Sequence, residues 1–237
     1  MKLRVRYSKL GKIRFVSHRD GARLWERALR RVAFPVATTE GFTPRPKLGF
    51  GLALPTGAES VAEYIDIDLV QGAEIDVDDR SVNEALSSAL PIGMDVLVMA
   101  ERDPAAASLQ DDVGSTTWEL TGLGVEPEQL GMAIQRVLAS DELFVERERK
   151  GRRRTDDVRP LIRDLRLEPV SDVLVAELVT VGRALRPTEL AGALVPDVDP
   201  LDVRVLRTHQ WIDHDDERRE VLPLPIDVDA LDRGLSA

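Results

Sequence analysis

The fold is decided by the stretch RFVSHRDGARLWERALRRV, residues 14–32, in which an extended apolar pattern gives way to a helical one. Ser17 is a favourable N-cap because its hydroxyl can accept a hydrogen bond from a free backbone N–H of the first turn. The apolar residues that follow with helical spacing are Ala22, Trp25, Ala28, Leu29 and Val32. The pattern predicts a helix from Ser17 to about Val32, with Pro35 ending it.

Alternating residues predict strands on both sides of this helix. We expect them over residues 2–9, 13–16, 36–39, 48–54, 61–69 and 94–99. A second helix is predicted over residues 80–90, where apolar residues again have helical spacing. The main elements follow the order β-α-β-β-α-β, which is that of a ferredoxin-like unit.

The acidic, alanine-rich stretch 101–114 is the best candidate for a linker, and the order of elements repeats beyond it. The predicted strands there cover residues 116–120, 142–148, 173–181 and 203–208, and the helices cover residues 127–139 and 187–194. We therefore predict an α+β protein of two tandem ferredoxin-like domains. Their bounds are 1–102 and 115–210, and a C-terminal tail covers 211–237.

Composition indicates a folded, cytoplasmic protein. The 237 residues are 43% hydrophobic and 31% charged, and no run of apolar residues is long enough to predict a membrane span. Without cysteine the chain has no disulfide, thiolate nucleophile or cysteine-ligated cluster. The three histidines, at 18, 209 and 214, do not have metal-ligand spacing. We therefore expect no metal site and no cofactor.

Charge is distributed very unevenly along the chain. The first 50 residues contain 13 Lys and Arg against three acids, whereas the whole chain has a net charge of −10. The remaining residues therefore carry −20. A basic N-terminal stretch in an acidic protein indicates a surface that meets a polyanion, and nucleic acid is one such partner.

The helix supplies most of the cations, with arginines at 19, 23, 27, 30 and 31. Positions three to four apart lie on one side of a helix, so these guanidinium groups are expected on one face and the apolar residues on another. Two interpretations remain open. The arginines contact nucleic acid or another polyanion, or they form the solvated face of an amphipathic helix.

The residues Ser17-His18-Arg19-Asp20 open this helix, and a helix N-terminus attracts phosphate. His18 could donate to a phosphate or act as a general acid or base. Asp20 could cap the helix or orient the histidine. In the structural alternative, this is an ordinary cap followed by a histidine that bonds the backbone.

Two further groups of cations complete the predicted nucleic-acid-binding set. The loop 41–47 carries two of them between prolines, and residues 152–154 form a second cluster, for which a solvated hairpin tip is the alternative. The full set is Lys12, Arg14, Ser17, His18, Arg19, Arg23, Arg27, Arg45, Lys47, Arg152, Arg153 and Arg154. No catalytic residue is predicted unless the protein is an enzyme, in which case it is His18.

Residues 14–20, 26–31, 41–47 and 53–60, with Glu63 and Tyr64, resemble the radical-SAM-linked domain of unknown function. In that family the domain is fused behind a cobalamin-binding radical SAM protein or stands alone near one. The resemblance is dense over residues 1–69 and thin beyond them. The chain departs from the family at residues 37–40, where the family tends to have a tyrosine and a serine before the glycine.

The resemblance implies a separate radical SAM enzyme as a partner and an RNA-related task, but no established reaction. The leading hypothesis is a non-catalytic module that binds structured RNA, such as tRNA or rRNA, for that enzyme. One alternative is a metal-independent RNA endonuclease that uses His18, as in the ferredoxin-like enzymes that process CRISPR transcripts. The other is a protein-interaction module without RNA.

Overall fold

The computed structural model describes residues 1–149, 151–169, 172–182, 184–214 and 217–224. The chain divides into two compact units. The first contains residues 1–54, 62–112 and 220–224. The second contains residues 55–61 and 113–219.

The first unit begins with strand β1 (Lys2–Lys9), a short 3₁₀ helix (Gly11–Phe15) and helix α1 (His18–Arg31). The elements that follow are β2 (Leu48–Phe50), β3 (Glu59–Asp68), α2 (Arg80–Ala89), β4 (Val96–Glu101) and the short α3 (Leu109–Asp112). The strands are ordered β4-β1-β3-β2, and both outer pairs are antiparallel. The predicted α+β class is confirmed.

The core of this unit is built from the apolar positions that the sequence pattern singles out. Alternate residues of β1 and β3 are buried against α1 and α2. Every second side chain of a strand points to the same face of the sheet, and helix side chains three to four residues apart share one side, so the apolar sets face each other. Trp25 of α1 is fully buried and packs edge-on against Tyr7 of β1, with 5.0 Å between ring centroids. Burying such apolar surface is the main favourable term in folding.

The two arginines of β1, Arg4 and Arg6, are also buried, each with an acidic partner. Arg4 donates two hydrogen bonds to Asp66, at 2.7 and 2.9 Å, and Arg102 lies 3.0 Å from the same carboxylate. Arg6 contacts Glu220 at 2.5 Å and donates to the Leu222 carbonyl. These strand arginines are therefore part of the interior.

Two short strand predictions in this unit are wrong. Residues 13–16 lie in and just after the 3₁₀ helix, because Gly11 adopts a φ of +66° and turns the chain out of the extended conformation. Residues 36–39 form only isolated bridges, Val36 to Leu69 and Thr38 to Pro46. A proline partner has no N–H with which to extend such a bridge into a ladder.

The predicted linker 101–114 has structure of its own. Leu109 of α3 is buried, and the Arg102 guanidinium donates to the carbonyls of Ala106 and Ala107. Strand β5 then begins at Val113. Residues 101–112 are therefore part of the first unit, with Leu109 buried and Arg102 paired with Asp66.

The second unit begins with β5 (Val113–Thr121), α4 (Pro127–Ala139) and the hairpin strands β6 (Phe144–Arg149) and β7 (Arg152–Asp157). A 3₁₀ turn (Arg159–Leu161) follows, and then β8 (Ile162–Leu167), β9 (Leu174–Val179), α5 (Pro187–Leu194), β10 (Arg204–His214) and β11 (Glu217–Glu220). The main strands are ordered β10-β5-β9-β8 and are antiparallel. Residues Glu59 and Ser60 add a parallel pairing to β10, so this sheet is mixed.

The strand predicted at 142–148 exists as β6, but it is not in the main sheet. It pairs with β7 in a separate two-stranded sheet, and β8 pairs with β9 in the main sheet. Residues Ile162 and Leu165 of β8 are buried. In contrast, four of the six residues of β6 are charged, with acids and arginines alternating. Strand β10 also continues to His214, beyond the predicted domain boundary at 210.

No helix in the described part of the chain has both the length and the apolar character needed to cross a membrane.

Candidate nucleic-acid interface

The start of α1 is closed by its own side chains. Ser17 is the N-cap, and its hydroxyl accepts a hydrogen bond from the Asp20 N–H at 3.2 Å and donates to the Asp20 carboxylate at 2.8 Å. Arg23 donates to the same carboxylate at 3.0 Å. The hydrogen bond from Ser17, assisted by Arg23, lowers the pKa of Asp20. The predicted cap is therefore observed, and Asp20 completes it.

A groove of about 820 Å³ lies between the first 3₁₀ helix and one side of α1. Its cations are Arg23, Arg27 and Arg30, which come from successive turns of the helix. The apolar wall is formed by Ile13, Phe15, Val16 and Leu24. Asp20 and Glu26 also line it, so the groove contains three cations and two acids.

The five arginines of α1 have different surroundings. Arg31 donates to the Ala89 carbonyl at 3.2 Å, and the exposed Arg23–Asp20 pair is of the kind that stabilises little. The side chains of Arg19, Arg27 and Arg30 are exposed and make no hydrogen bond or ion pair with any residue that the structure describes. Two of these three, Arg27 and Arg30, lie together in the groove.

His18 is exposed at the N-terminus of α1 and packs edge-on against Phe50, with 5.7 Å between ring centroids. The Asp20 carboxylate bonds Ser17 and Arg23 and makes no hydrogen bond to His18. Within the described ranges, no residue forms a hydrogen bond with the imidazole. The structure therefore does not show the orienting role considered for Asp20, or a histidine held by the backbone.

The loop 41–47 presents Arg45 and Lys47 at the surface. Its base is tied by Thr39, which accepts a hydrogen bond from the Arg45 N–H at 3.1 Å and donates its own N–H to the Arg45 carbonyl. Lys47 lines a separate depression of about 450 Å³, together with Asp66, Asp68 and Arg102. The structure thus does not bring Lys47 into the groove of α1.

The two cations before α1 lie on the 3₁₀ helix. Lys12 is exposed, and the Arg14 guanidinium lies over the Phe15 ring, 4.8 Å from its centroid. Of the predicted set, the groove itself contains Ser17, Arg23 and Arg27. Arg30 and Phe15 line it but were not in that set. The spacing of Arg30 from Arg23 and Arg27 was a usable signal, whereas nothing in the sequence marked Phe15 as exposed.

The second cationic cluster lies on the β6–β7 hairpin of the second unit. Arg153 is 76% exposed at its side chain and lies 3.5 Å from Glu146, and Arg154 is exposed. Arg147, directly opposite Arg154, forms an ion pair with Asp156 at 3.1 Å. The side chain of Arg152 lies outside the described part of the chain. Cross-strand pairs thus already occupy part of this cluster.

The second unit also has a polar depression of about 420 Å³ on its sheet. Glu177, which is buried, accepts hydrogen bonds from Ser115 at 2.7 Å, Arg163 at 3.2 Å and Arg218 at 2.7 Å. Trp211 stacks on His209 and lies under the Arg218 guanidinium. Among the described residues, no group of three His, Asp or Glu side chains could hold a metal ion. The polar groups here are largely satisfied by one another.

The structure and its site define an α+β protein with a groove that three arginines and two acids line along a helix. The chain belongs to the family described as "Uncharacterized protein conserved in bacteria (DUF2344)", whose family model matches residues 2–187. No curated protein sequence matches it.

Among solved structures, the chain is similar to one in "Crystal Structure of a Cbf5-Nop10-Gar1 Complex". The TM-score is 0.47 and the sequence identity is 8%. The similarity covers 88% of this chain and 48% of the other, so this chain spans about half the length of the one it matches.

Proposed function

We propose that the chain is an RNA-binding accessory module, without catalysis of its own, that holds RNA along the groove of α1. The proposal depends on the position of Arg27 and Arg30 and on their lack of partners in the described part of the chain. Both line the groove, and neither has an ionic or hydrogen-bonding partner in the described part of the chain. An exposed guanidinium without a carboxylate can bind a phosphate through two parallel N–H···O bonds.

The arrangement of the groove favours binding of an extended polyanion over binding of a single small anion. Arg23, Arg27 and Arg30 form a row along the helix, with successive residues about 4.5 to 6 Å apart along its axis. The exposed Arg19 and Lys12 lie on the same helix and on the 3₁₀ helix before it. A row of cations matches the repeated charges of a nucleic acid backbone.

We propose further that each unit is a ferredoxin-like domain. In the first unit the strand order β4-β1-β3-β2 and the helices after β1 and β3 agree with this arrangement. In the second unit β10-β5-β9-β8 is the corresponding order, with the hairpin β6–β7 as an insertion after α4. Such a fold is compatible with many functions, so the functional proposal depends on the groove.

The partner proposed for this module is a separate radical SAM enzyme in the cytoplasm. The support is the resemblance of residues 1–69 to the radical-SAM-linked domain. In this scheme the module holds a structured RNA, such as tRNA or rRNA, for modification or processing by the enzyme. The chain has no cysteine with which to hold an iron–sulfur cluster, so the partner would supply the radical chemistry.

The test is RNA binding by fluorescence anisotropy as a function of salt. Wild type is compared with the double variant Arg27→Glu/Arg30→Glu, and the matched control is Arg136→Glu, an exposed helix arginine in the second unit. We expect the double variant to bind at least about tenfold more weakly and the control to bind normally. The slope of log K against log salt should fall by about 0.7 for each phosphate of a single-stranded RNA that the variant no longer neutralises.

Two results would remove the proposal. One is an affinity that does not respond to salt, because release of counterions must accompany phosphate neutralisation. The other is the absence of any RNA binding at low salt. Recovery of a partner protein after nuclease treatment, in that second case, would favour the alternative of a protein-interaction module without RNA.

A metal-independent endonuclease is the second candidate, and the exposure of His18 at the N-terminus of α1 favours it. His18 does not line the groove of α1, but the adjacent Arg19 is also exposed, so a phosphate bound by Arg19 would lie close to an accessible imidazole. An RNA-cleavage assay in the presence of a chelator should compare wild type with His18→Ala. Cleavage that depends on His18 would establish the enzyme, and equal or absent cleavage would eliminate it.

A further inference from the structure

We infer that the groove of α1 takes an unpaired nucleotide, whose base stacks on Phe15 while its phosphate binds Arg27 or Arg30. This inference rests on the proposed function and narrows the RNA to one that presents a single-stranded segment. It starts from Phe15, an apolar side chain that is exposed in the groove, and from Arg27 and Arg30, which have no partner among the described residues.

Phe15 is the last residue of the first 3₁₀ helix, and it is 61% exposed while lining the groove. The other large aromatic side chains near it are used by the fold. Trp25 and Tyr7 are buried together, and Phe50 packs against His18 and the core. A phenylalanine left in water forgoes the burial free energy that these side chains gain.

The backbone around Phe15 is fixed from both sides. The Val16 N–H donates to the Ile13 carbonyl at 2.9 Å, and the Lys9 ammonium donates to the Val16 carbonyl at 2.6 Å. Ile13 itself packs against the core of the first unit. The ring is therefore presented by a hydrogen-bonded turn, and such preorganisation lowers the entropy lost when a ligand binds.

The neighbouring charges suit a nucleotide. The Arg14 guanidinium lies over one face of the Phe15 ring, 4.8 Å from its centroid, so a base would stack on the opposite face. Arg27 and Arg30 line the same groove. A base can stack on an aromatic ring, and its phosphate can bind a guanidinium in the same groove. The groove volume of about 820 Å³ is within the range of sites that hold small organic groups.

A duplex cannot use this arrangement. Its bases stack on one another, and the major groove of an A-form helix is too deep and narrow for side chains to reach the bases. Base stacking on protein aromatics therefore requires a loop, a bulge or a free end. The combination of the exposed Phe15 ring with Arg27 and Arg30, for which the described residues provide no partner, thus favours unpaired RNA over a continuous duplex.

The experiment measures binding of wild type and Phe15→Ala to a single-stranded RNA of about twelve nucleotides and to a duplex of the same length. We expect Phe15→Ala to weaken single-strand binding by about five- to a hundredfold and to leave duplex binding unchanged. The matched control is Phe144→Ala, which removes a phenylalanine with 60% exposure from the second unit. The control should bind both RNAs as wild type does.

A second substitution separates stacking from simple apolar contact. Phe15→Leu keeps an apolar side chain but removes the π-face, so it should bind single-stranded RNA nearly as weakly as Phe15→Ala does. Phe15→Trp should retain the wild-type affinity. Equal affinity of wild type for the two RNAs, or a loss for Phe15→Ala that is the same on both, would overturn the inference.

These outcomes are distinct from failure of the proposed function. If Arg27→Glu/Arg30→Glu weakens binding but Phe15→Ala does not, the arginines bind RNA and only the stacking inference is wrong. If no RNA binds, both are wrong.

Discussion

Arg4 and Arg6 belong to the same basic stretch as Arg27 and Arg30, yet the structure places the two pairs in opposite environments. The arginines of β1 are buried and bonded to Asp66 and Glu220. Arg27 and Arg30 of α1 are exposed and lack partners among the described residues. The excess of positive charge counted along the first 50 residues therefore overstates the charge that a ligand would meet.

The difference has a geometric cause. Strand β1 lies between β4 and β3, and both of its faces are covered, so every side chain on it must be apolar or paired. Helix α1 buries only the stripe that contains Trp25, Ala28 and Leu29. The five arginines of α1 are all exposed, and at an exposed position a charge without a partner costs little.

The largest effect that would test this comparison is on stability. We expect Arg6→Ala to lower the free energy of unfolding by about 3–5 kcal/mol, because it leaves the largely buried Glu220 side chain without this cation. Urea denaturation measures the change. Adding Glu220→Ala to Arg6→Ala should recover part of the loss. A loss below about 1 kcal/mol for Arg6→Ala would show that this pair behaves like a surface pair.

The arginines of α1 should respond in the opposite way. We expect Arg27→Ala and Arg30→Ala to change the free energy of unfolding by no more than about 0.5 kcal/mol each, because neither side chain bonds another described residue in the folded structure. The same denaturation experiment measures this. A large loss of stability in either variant would mean that the arginine has a structural role, and the comparison with β1 would fail.

The smallest effect concerns the carboxylate that closes the start of α1. Hydrogen bonds from Ser17 and Arg23 lower the pKa of Asp20. The contribution of its charged form to stability is therefore present above the ordinary pKa of an aspartate and lost as the pH falls through the lowered value.

We expect Ser17→Ala to raise the pKa of Asp20 toward that ordinary value, which an NMR titration of the carboxyl group measures. Asp79 provides a control, since hydrogen bonds from Ser81 lower its pKa at the start of α2. The pKa of Asp79 should be unchanged in Ser17→Ala. An unchanged pKa of Asp20 in Ser17→Ala would mean that the cap does not hold this carboxylate in solution.

The helices were the most predictable part of the fold. The helix predicted from Ser17 to Val32 is observed as His18–Arg31 with these two residues as caps, because capping and apolar spacing are local properties. The residues at 13–16 were misassigned because Ile13, Phe15 and Val16 fit an extended pattern. Leu10 donates its N–H to the Gly93 carbonyl, a contact from a distant part of the chain that the pattern does not contain.

The structure brings only some of the predicted nucleic-acid-binding residues together in one groove. Arg23 and Arg27 lie in one groove because helical spacing places them on the same face. Lys47 lies in a different depression beside Asp66, and Arg153 and Arg154 belong to the second unit. Their separation depends on how loops and strands are arranged in space, which charge counting along a sequence cannot show.

The sequence by itself determined the α+β class, the main helices, the cap of α1 and the row of arginines on one face, since each follows from periodicity and local hydrogen bonding. Only the tertiary structure decided which arginines are exposed to a ligand and which are buried in ion pairs. It also decided that Phe15 stands in water and that the hairpin β6–β7 lies outside the sheet. Burial and ion pairing join residues far apart in the chain, as Arg6 and Glu220 show, and no local pattern contains that information.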